Sequence, residues 1–164
     1  MNKALACKDS SAFNPPAGSV TLGELSYGAQ LCVWSIRQWV SSIKLGRCVG
    51  CDLHKTYQEL ACVPAIIRLH EFMTLLGNEA TRQIDVQNQR EQKLSYDELT
   101  LLRLIALSGH GARPRYMRHL ARGLVSPVRV ERLCTLAQDY CDALTTANLS
   151  LSGWPELKLV STKE

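Results

Sequence analysis

The sequence is poor in aromatic residues and has no long hydrophobic run. Phe, Trp and Tyr together account for 6% of its 164 residues. The longest apolar stretches, 63–76 and 99–107, are too short and too interrupted to cross a bilayer, which takes about 20 apolar residues in a helix. Residues 1–20 lack the continuous apolar centre of a secretory signal. We therefore expect a cytoplasmic protein that does not associate with membranes.

The motifs of common enzyme classes are missing as well. The chain has no G-x-S-x-G, H-E-x-x-H, P-loop or G-x-G-x-x-G sequence. His70 and Glu71 are adjacent, but no second histidine follows four residues after the first, so they do not form a zinc-protease motif. We therefore expect a protein without enzymatic activity.

Strand patterns are nearly absent too, while apolar residues recur with the helical period of about 3.6 residues. We predict an all-α protein with a single compact domain over residues 21–150. A disordered N-terminal arm at 1–20, rich in Ser, Asn, Pro and Gly, precedes this domain, and a C-terminal tail at 151–164 follows it. The domain is expected to contain about six helices, at approximately 26–45, 53–62, 64–76, 96–107, 114–122 and 127–147.

The start of the fourth helix carries the strongest local signal. Ser95 and Glu98 form the pattern of a capping box, and Leu94 and Leu99 occupy the two hydrophobic-staple positions. The residues that follow are apolar nearly all round. This composition predicts that helix 96–107 is central and buried.

Other helix boundaries rest on single residues. Gly46 is expected to end the first helix, and Asp52 is expected to be the N-cap of the second. Pro64 suits the first turn of the third helix, and Gly77 is expected to end that helix. The next segment, 81–94, is predicted to be mostly a polar loop with a short extended piece.

The first predicted helix has a second apolar side, formed by Tyr27, Leu31 and Trp34, opposite its core-facing stripe. A helix with two apolar sides is either central in its domain or binds a partner. These three residues are therefore candidates for binding a protein partner or a second copy of the chain in a homodimer. Alternatively, the C-terminal tail, which contains Trp154, folds back over them.

Cysteine, in contrast to the aromatic residues, is abundant. Because no export signal is present, most of the cysteines are expected to be reduced thiols. Cys32, Cys134 and Cys141 fall on apolar helical faces, where cysteine acts as a small hydrophobic residue. The seven cysteines are Cys7, Cys32, Cys48, Cys51, Cys62, Cys134 and Cys141.

The segment RCVGCDLH, 47–54, contains half of a metal-binding motif. Cys48 and Cys51 have the C-x2-C spacing of zinc ligands, and His54 lies within reach on the next turn. Cys62 is excluded as a further ligand, because the eight residues that separate it from His54 rise about 12 Å on a continuous helix. No second C-x2-C or H-x3-H pair supplies the missing ligand. Zinc is therefore the lesser alternative to a protein without a cofactor.

The same two cysteines are candidates for thiol chemistry. Cys51 lies just before the predicted second helix, where the helix dipole lowers the pKa of a thiol, and Arg47 adds positive charge. Thioredoxin-type dithiols, however, occur in a βαβ setting, and no strand pattern surrounds this motif. The remaining alternative is a pair of reduced cysteines in a loop between helices.

Arginine is concentrated in one segment of the chain. Residues 110–132 contain six arginines and one acid, so their net charge of +5 exceeds the +4 of the whole chain. This cluster is a candidate for binding the phosphates of a nucleic acid. A solvated basic helix face and an acidic protein partner are the alternatives. The six residues are Arg113, Arg115, Arg118, Arg122, Arg129 and Arg132.

Part of this segment, LARGLVSPVRVERLCTL at 120–136, is similar to a helix-turn-helix, in which a turn leads into a recognition helix with a capped start. Two departures weaken the similarity. The usual turn glycine is missing between Leu124 and Val125, and the stretch from Ser126 to Leu133 is one residue short. A deletion of one residue rotates a helical face by about 100°.

These patterns together predict a small, non-enzymatic, cytoplasmic helical protein that acts through binding, as a regulator or adaptor. The first alternative is a nucleic-acid-binding regulator that uses the arginines of 113–132. The second is a zinc- or thiol-dependent regulatory protein centred on Cys48 and Cys51.

Overall fold

Helices make up most of the structure, a computed structural model that describes residues 5–7, 20–109 and 114–152. Two short strands, β1 and β2, and two single turns of 3-10 helix accompany the helices. The prediction of an all-α protein with one compact domain of about six helices is confirmed. Within the described ranges, the helices are α1 (Tyr27–Lys44), α2 (Val49–Glu59), α3 (Pro64–Glu79), α4 (Tyr96–Ser108), α5 (Pro114–Arg122) and α6 (Val130–Thr146), and the strands are β1 (Leu5–Cys7) and β2 (Ile84–Val86).

Helices α1 and α6 form the centre of the fold. Helix α6 packs against α3, α4 and α5, while α1 packs against α2, α3, α4 and both strands. The buried residues of α6 recur every three or four positions, so the helix presents an apolar stripe to its neighbours. They are Val130, Leu133, Leu136, Ala137, Tyr140, Cys141 and Leu144.

The predicted boundaries of α2 were wrong by three to four residues. The helix begins at Val49, with Cys48 as its N-cap in an extended conformation (φ −72°, ψ 109°). Asp52 is therefore inside the first turn and is not the N-cap. The helix ends at Glu59, two residues before Ala61 adopts a left-handed conformation with φ 52°.

The predicted stop at Gly77 was also wrong, because α3 continues to Glu79. Gly77 is buried and does not adopt the left-handed conformation that ends a helix at glycine. Gly46, in contrast, has φ 64° and follows the end of α1, as predicted. A glycine by itself thus did not distinguish a helix end from a helix interior.

The predicted capping box at the start of α4 is confirmed. The Ser95 hydroxyl accepts the N–H of Glu98 at 3.0 Å, and the Glu98 carboxylate accepts the N–H of Ser95 at 2.9 Å. Glu98 is fully buried, and it also forms an ion pair of 2.7 Å with buried Arg37 of α1. The guanidinium of Arg37 additionally donates to the carbonyls of Glu91 and Lys93, which holds the loop before α4 against α1.

Strand β1 pairs with β2 in parallel, with Leu5 opposite Ile84. Of the predicted N-terminal arm, residues 1–4 and 8–19 lie outside the described residues. Val20 is buried, and its carbonyl accepts the N–H of Leu94. The N-terminal boundary of the core therefore includes residue 20.

The C-terminal segment returns to the start of α1. The Ser26 hydroxyl donates to the carbonyl of Ser150, and this carbonyl oxygen packs so closely against Gly28 that a Cβ atom there would collide with it. Leu151 is buried, and the rest of the predicted tail, 153–164, lies outside the described residues. No helix in the described part of the chain is long and apolar enough to cross a membrane.

Candidate functional site

Cys48 and Cys51 lie on the first turn of α2, and both are exposed. The left-handed Gly46 ends α1 and turns the chain, and the extended backbone of Cys48 then starts α2. The Cys48 sulfur accepts the N–H of Cys51, with Sγ and N 3.3 Å apart. Cys48 thus takes the place of the serine, threonine or aspartate that usually caps a helix.

The two thiols differ in acidity. Hydrogen bonds from the side chain and then the backbone N–H of Cys51 lower the pKa of Cys48. The same side-chain hydrogen bond, together with the charge of a Cys48 thiolate, raises the pKa of Cys51. The position of Cys48 at a helix N-terminus also favours its thiolate. The sequence indicated Cys51 as the activated cysteine, whereas the structure assigns that role to Cys48, because α2 begins earlier than expected.

Asp52 and Arg47, the charged neighbours of the cysteines, contact each other. Arg47 Nε lies 3.1 Å from Asp52 Oδ2. Asp52 also accepts the hydroxyl of Ser42, which lowers the pKa of its carboxyl group. The positive charge of Arg47 is thus paired with the carboxylate of Asp52. Through its hydrogen bond with Ser42, Asp52 also connects α2 to α1.

An apolar groove of about 550 Å³ opens beside the thiols. Cys48, Cys51 and His54 lie on its α2 side, and the start of α3 forms the other side. That other wall is apolar and partly exposed, with Ile67 63% and Val63 37% accessible to solvent. Water and small molecules therefore reach both sulfurs, and an apolar group in the groove would lie next to them.

The zinc ligands predicted from the sequence do not come together as a metal site. Cys48, Cys51 and His54 share the groove, but in the described part of the chain no group of three or more His, Cys, Asp or Glu is placed to hold one metal ion. Cys62, which the helical rise from His54 excludes as a further zinc ligand, is buried. Its thiol donates to the carbonyl of Ala143 at 3.5 Å. Cys48 and Cys51 are both free, exposed cysteines.

Tyr27, Leu31 and Trp34, the candidates for partner binding, do not form one exposed surface. Tyr27 is 62% exposed, but Leu31 is only 6% exposed and Trp34 is half-buried against the core. The loop before α4 covers this side of α1, where Gln89 donates to the carbonyl of Trp34. The second apolar side of α1 thus belongs largely to the interior. Residue 154 lies outside the described part of the chain.

The arginine cluster is exposed on α5 and at the start of α6, except for Arg113, which lies outside the described residues. Two of its members are engaged: Arg118 lies 2.6 Å from Glu131, and Arg129 lies 3.2 Å from Glu79 of α3. The other members, Arg115, Arg122 and Arg132, form no ion pair within the described ranges.

Helix α6, the recognition helix of the suggested helix-turn-helix, does not stand free of the domain. It packs against α3, α4 and α5 along its length. A recognition helix must present one face to the bases in the major groove. The exposed face of α6 carries one arginine, Arg132, and two acids, Glu131 and Asp142, and Glu131 is bound to Arg118.

The apolar wall of the groove was missed in the sequence. Pro64 is interpreted from the sequence only as the start of α3, and Val63 and Ile67 receive no role there. One signal was available, since Ile67 lies outside the buried stripe of α3 that contains Ile66 and Leu69. An apolar residue outside such a stripe either binds something or is simply exposed.

Comparisons with models of known protein families, with curated proteins and with solved structures found no match to this chain.

Proposed function

We propose that this chain is a thiol-dependent regulatory protein, in which Cys48 and Cys51 interconvert between a dithiol and an intramolecular disulfide. The observation that carries this proposal is the placement of both exposed sulfurs on the first turn of one helix, with Cys48 as its N-cap. The Cys48 sulfur lies 3.3 Å from the backbone nitrogen of Cys51, so the two side chains are close neighbours. A disulfide requires their Cβ atoms to approach to about 3.5–4.5 Å.

The oxidant is another disulfide, either of a small thiol such as glutathione or of a protein. The Cys48 thiolate attacks one sulfur of that disulfide, which forms a mixed disulfide and releases the other sulfur as a thiolate. The Cys51 thiol then loses its proton and attacks the Cys48 sulfur, which releases the second thiolate. Two electrons pass from the dithiol to the external disulfide. A reducing, cytoplasmic location keeps the resting protein in the dithiol form.

The groove links this chemistry to binding. Both sulfurs lie on its α2 side, so oxidation changes the surface that an occupant meets. Its α3 wall is formed by Val63, Pro64, Ile66 and Ile67, without a charged side chain. This composition favours an apolar segment of a protein partner, and the proposed role is therefore a non-enzymatic regulator whose partner binding depends on the thiol state.

The decisive experiment measures the redox equilibrium of Cys48 and Cys51 in the full chain. The protein is equilibrated in glutathione buffers of graded potential, quenched with acid, alkylated and mapped by mass spectrometry. A Cys7→Ser background removes a cysteine outside this site. We expect a reversible Cys48–Cys51 disulfide, because the second thiol resolves each mixed disulfide as it forms.

Two variants serve as controls for this experiment. Cys51→Ser should accumulate glutathione on Cys48, because the resolving thiol is missing. Cys48→Ser should acquire glutathione more slowly at Cys51, because loss of Cys48 relieves the raised pKa of Cys51 without lowering it below the ordinary thiol value. Buried Cys32 and Cys141 should stay unmodified in the folded protein. The proposal fails if no Cys48–Cys51 disulfide forms at potentials at which the chain remains folded.

A further inference from the structure

A second surface, remote in sequence from the dithiol, is formed by α5. This helix has no acidic residue, and Arg115, Arg118, His119 and Arg122 are all exposed on it. Arg115 and Arg122 are seven residues apart, so they project from the same side of the helix, two turns apart. Arg132, next to Glu131 in the first turn of α6, adds a further exposed positive charge near the Arg118–Glu131 ion pair.

We infer that this surface, which we call the α5 basic face, binds the phosphodiester backbone of a double-stranded nucleic acid. Arg115, Arg122 and Arg132 form no ion pair within the described residues, so they are available for phosphate oxygens. Guanidinium groups form paired hydrogen bonds to phosphate. The complementary charge of a duplex is dense, about one negative charge per 1.7 Å of axis.

The side chains of α5 and α6 favour a duplex over a single strand. Proteins that bind single strands stack exposed aromatic rings on the bases. On α5 and α6, however, Tyr116 is half-buried and Tyr140 is fully buried. The arginines of the α5 basic face are assigned here to phosphate oxygens and not to base edges. Binding by the α5 basic face should therefore be insensitive to base sequence.

Fluorescence anisotropy with a labelled duplex of mixed sequence tests this inference in the full chain. Three phosphate contacts give a slope of log K against log salt of about −2.7, or a loss of about 40-fold between about 50 and 200 mM salt. The variant Arg115→Gln/Arg122→Gln/Arg132→Gln should lose at least about ten-fold in affinity at low salt, with a slope close to zero.

A matched control removes the same charge from another part of the surface. Lys55, Arg90 and Lys93 are exposed and form no ion pair within the described residues. The variant Lys55→Gln/Arg90→Gln/Lys93→Gln should bind within about three-fold of the unaltered chain, because only general attraction is lost. Circular dichroism should show that both variants keep their helices.

Several outcomes would overturn the inference. Absence of duplex binding at low salt would do so, as would equal losses in the two triple variants. Poly-glutamate or phosphatidylserine vesicles that bind as tightly as the duplex would indicate an acidic protein or a membrane surface instead. A single strand of the same length that binds more tightly would exclude the preference for a duplex. Cys48→Ser/Cys51→Ser should bind the duplex unchanged, because this surface does not depend on the dithiol.

Discussion

Helices α2 and α4 begin in similar ways but in opposite environments. In both, a side chain at the N-cap accepts the N–H of the residue three positions later: Cys48 in α2 and Ser95 in α4. The capping residues of α4, Ser95 and Glu98, are buried, whereas Cys48 and Cys51 at the start of α2 are exposed. The N-terminus of α4 therefore stabilises the fold, whereas the two sulfurs at the N-terminus of α2 remain accessible to reactants.

Burial explains the difference between these two sites. The Glu98 carboxylate has no contact with water and accepts N–H groups from Ser95, Gln87 and Arg37. An interior charge must be compensated in this way, because removing it from water costs several kcal/mol. The Cys48 sulfur is a weak acceptor that remains in water, so little stability depends on its hydrogen bonds.

The largest predicted effect comes from removing the positive partner at α4. Arg37→Met leaves the Glu98 carboxylate buried without its counter-charge, and we expect the free energy of unfolding to fall by about 3–5 kcal/mol. Urea denaturation followed by circular dichroism measures this loss. The control is Arg68→Met, which breaks the exposed Arg68–Glu71 pair and should cost at most about 1 kcal/mol. Equal losses in the two variants would show that burial does not determine how much each ion pair contributes to stability.

An intermediate effect is expected from the N-caps themselves. Ser95→Ala removes the acceptor for the Glu98 N–H and the donor to the Asp85 carbonyl, so it should cost about 1–2 kcal/mol of unfolding free energy. Cys48→Ala should leave the denaturation midpoint unchanged within error, because its sulfur is an exposed, weak acceptor. A comparable shift in both variants would contradict the contrast between the two helix starts.

The smallest effect is a difference in pH dependence at α2. The thiolate is the reactive form, so the lowered pKa of Cys48 should make its alkylation by iodoacetamide begin at a lower pH than that of Cys51. Peptide mapping after short labelling times measures the two rates separately. In Cys48→Ala, the Cys51 profile should shift to lower pH, since the neighbour that raises its pKa is gone. Identical profiles for the two cysteines would remove the basis for calling Cys48 the nucleophile.

The sequence predicted the α4 cap correctly because the capping box is local, with its two residues three positions apart. Arg37, which lies 61 positions before Glu98, was not predicted as its partner. No local pattern connects a buried arginine on one helix with an acid on another. The residues of a buried ion pair become recognisable only when the packing is known.

The start of α2 was mispredicted because N-cap preferences favour aspartate over cysteine. Aspartate is a strong N-cap residue, so Asp52 appeared sufficient for that role. In the structure, Ser42 and Arg47 occupy its carboxylate, and the cysteine four positions earlier caps the helix. The C-x2-C spacing itself was visible in the sequence, but which of its thiols is activated followed from the position of the helix start.

The sequence by itself determined the helical class of this protein and most of its helix positions, because these follow from the period of apolar residues and from caps within a few positions. It also determined that Cys48 and Cys51 are close together and that arginines are concentrated on α5. Only the tertiary structure decided which groups are exposed. It buried Leu31, joined Arg37 to Glu98, and placed Val63 and Ile67 beside the two sulfurs. Such contacts join residues distant in sequence, and exposure depends on how the helices pack against one another.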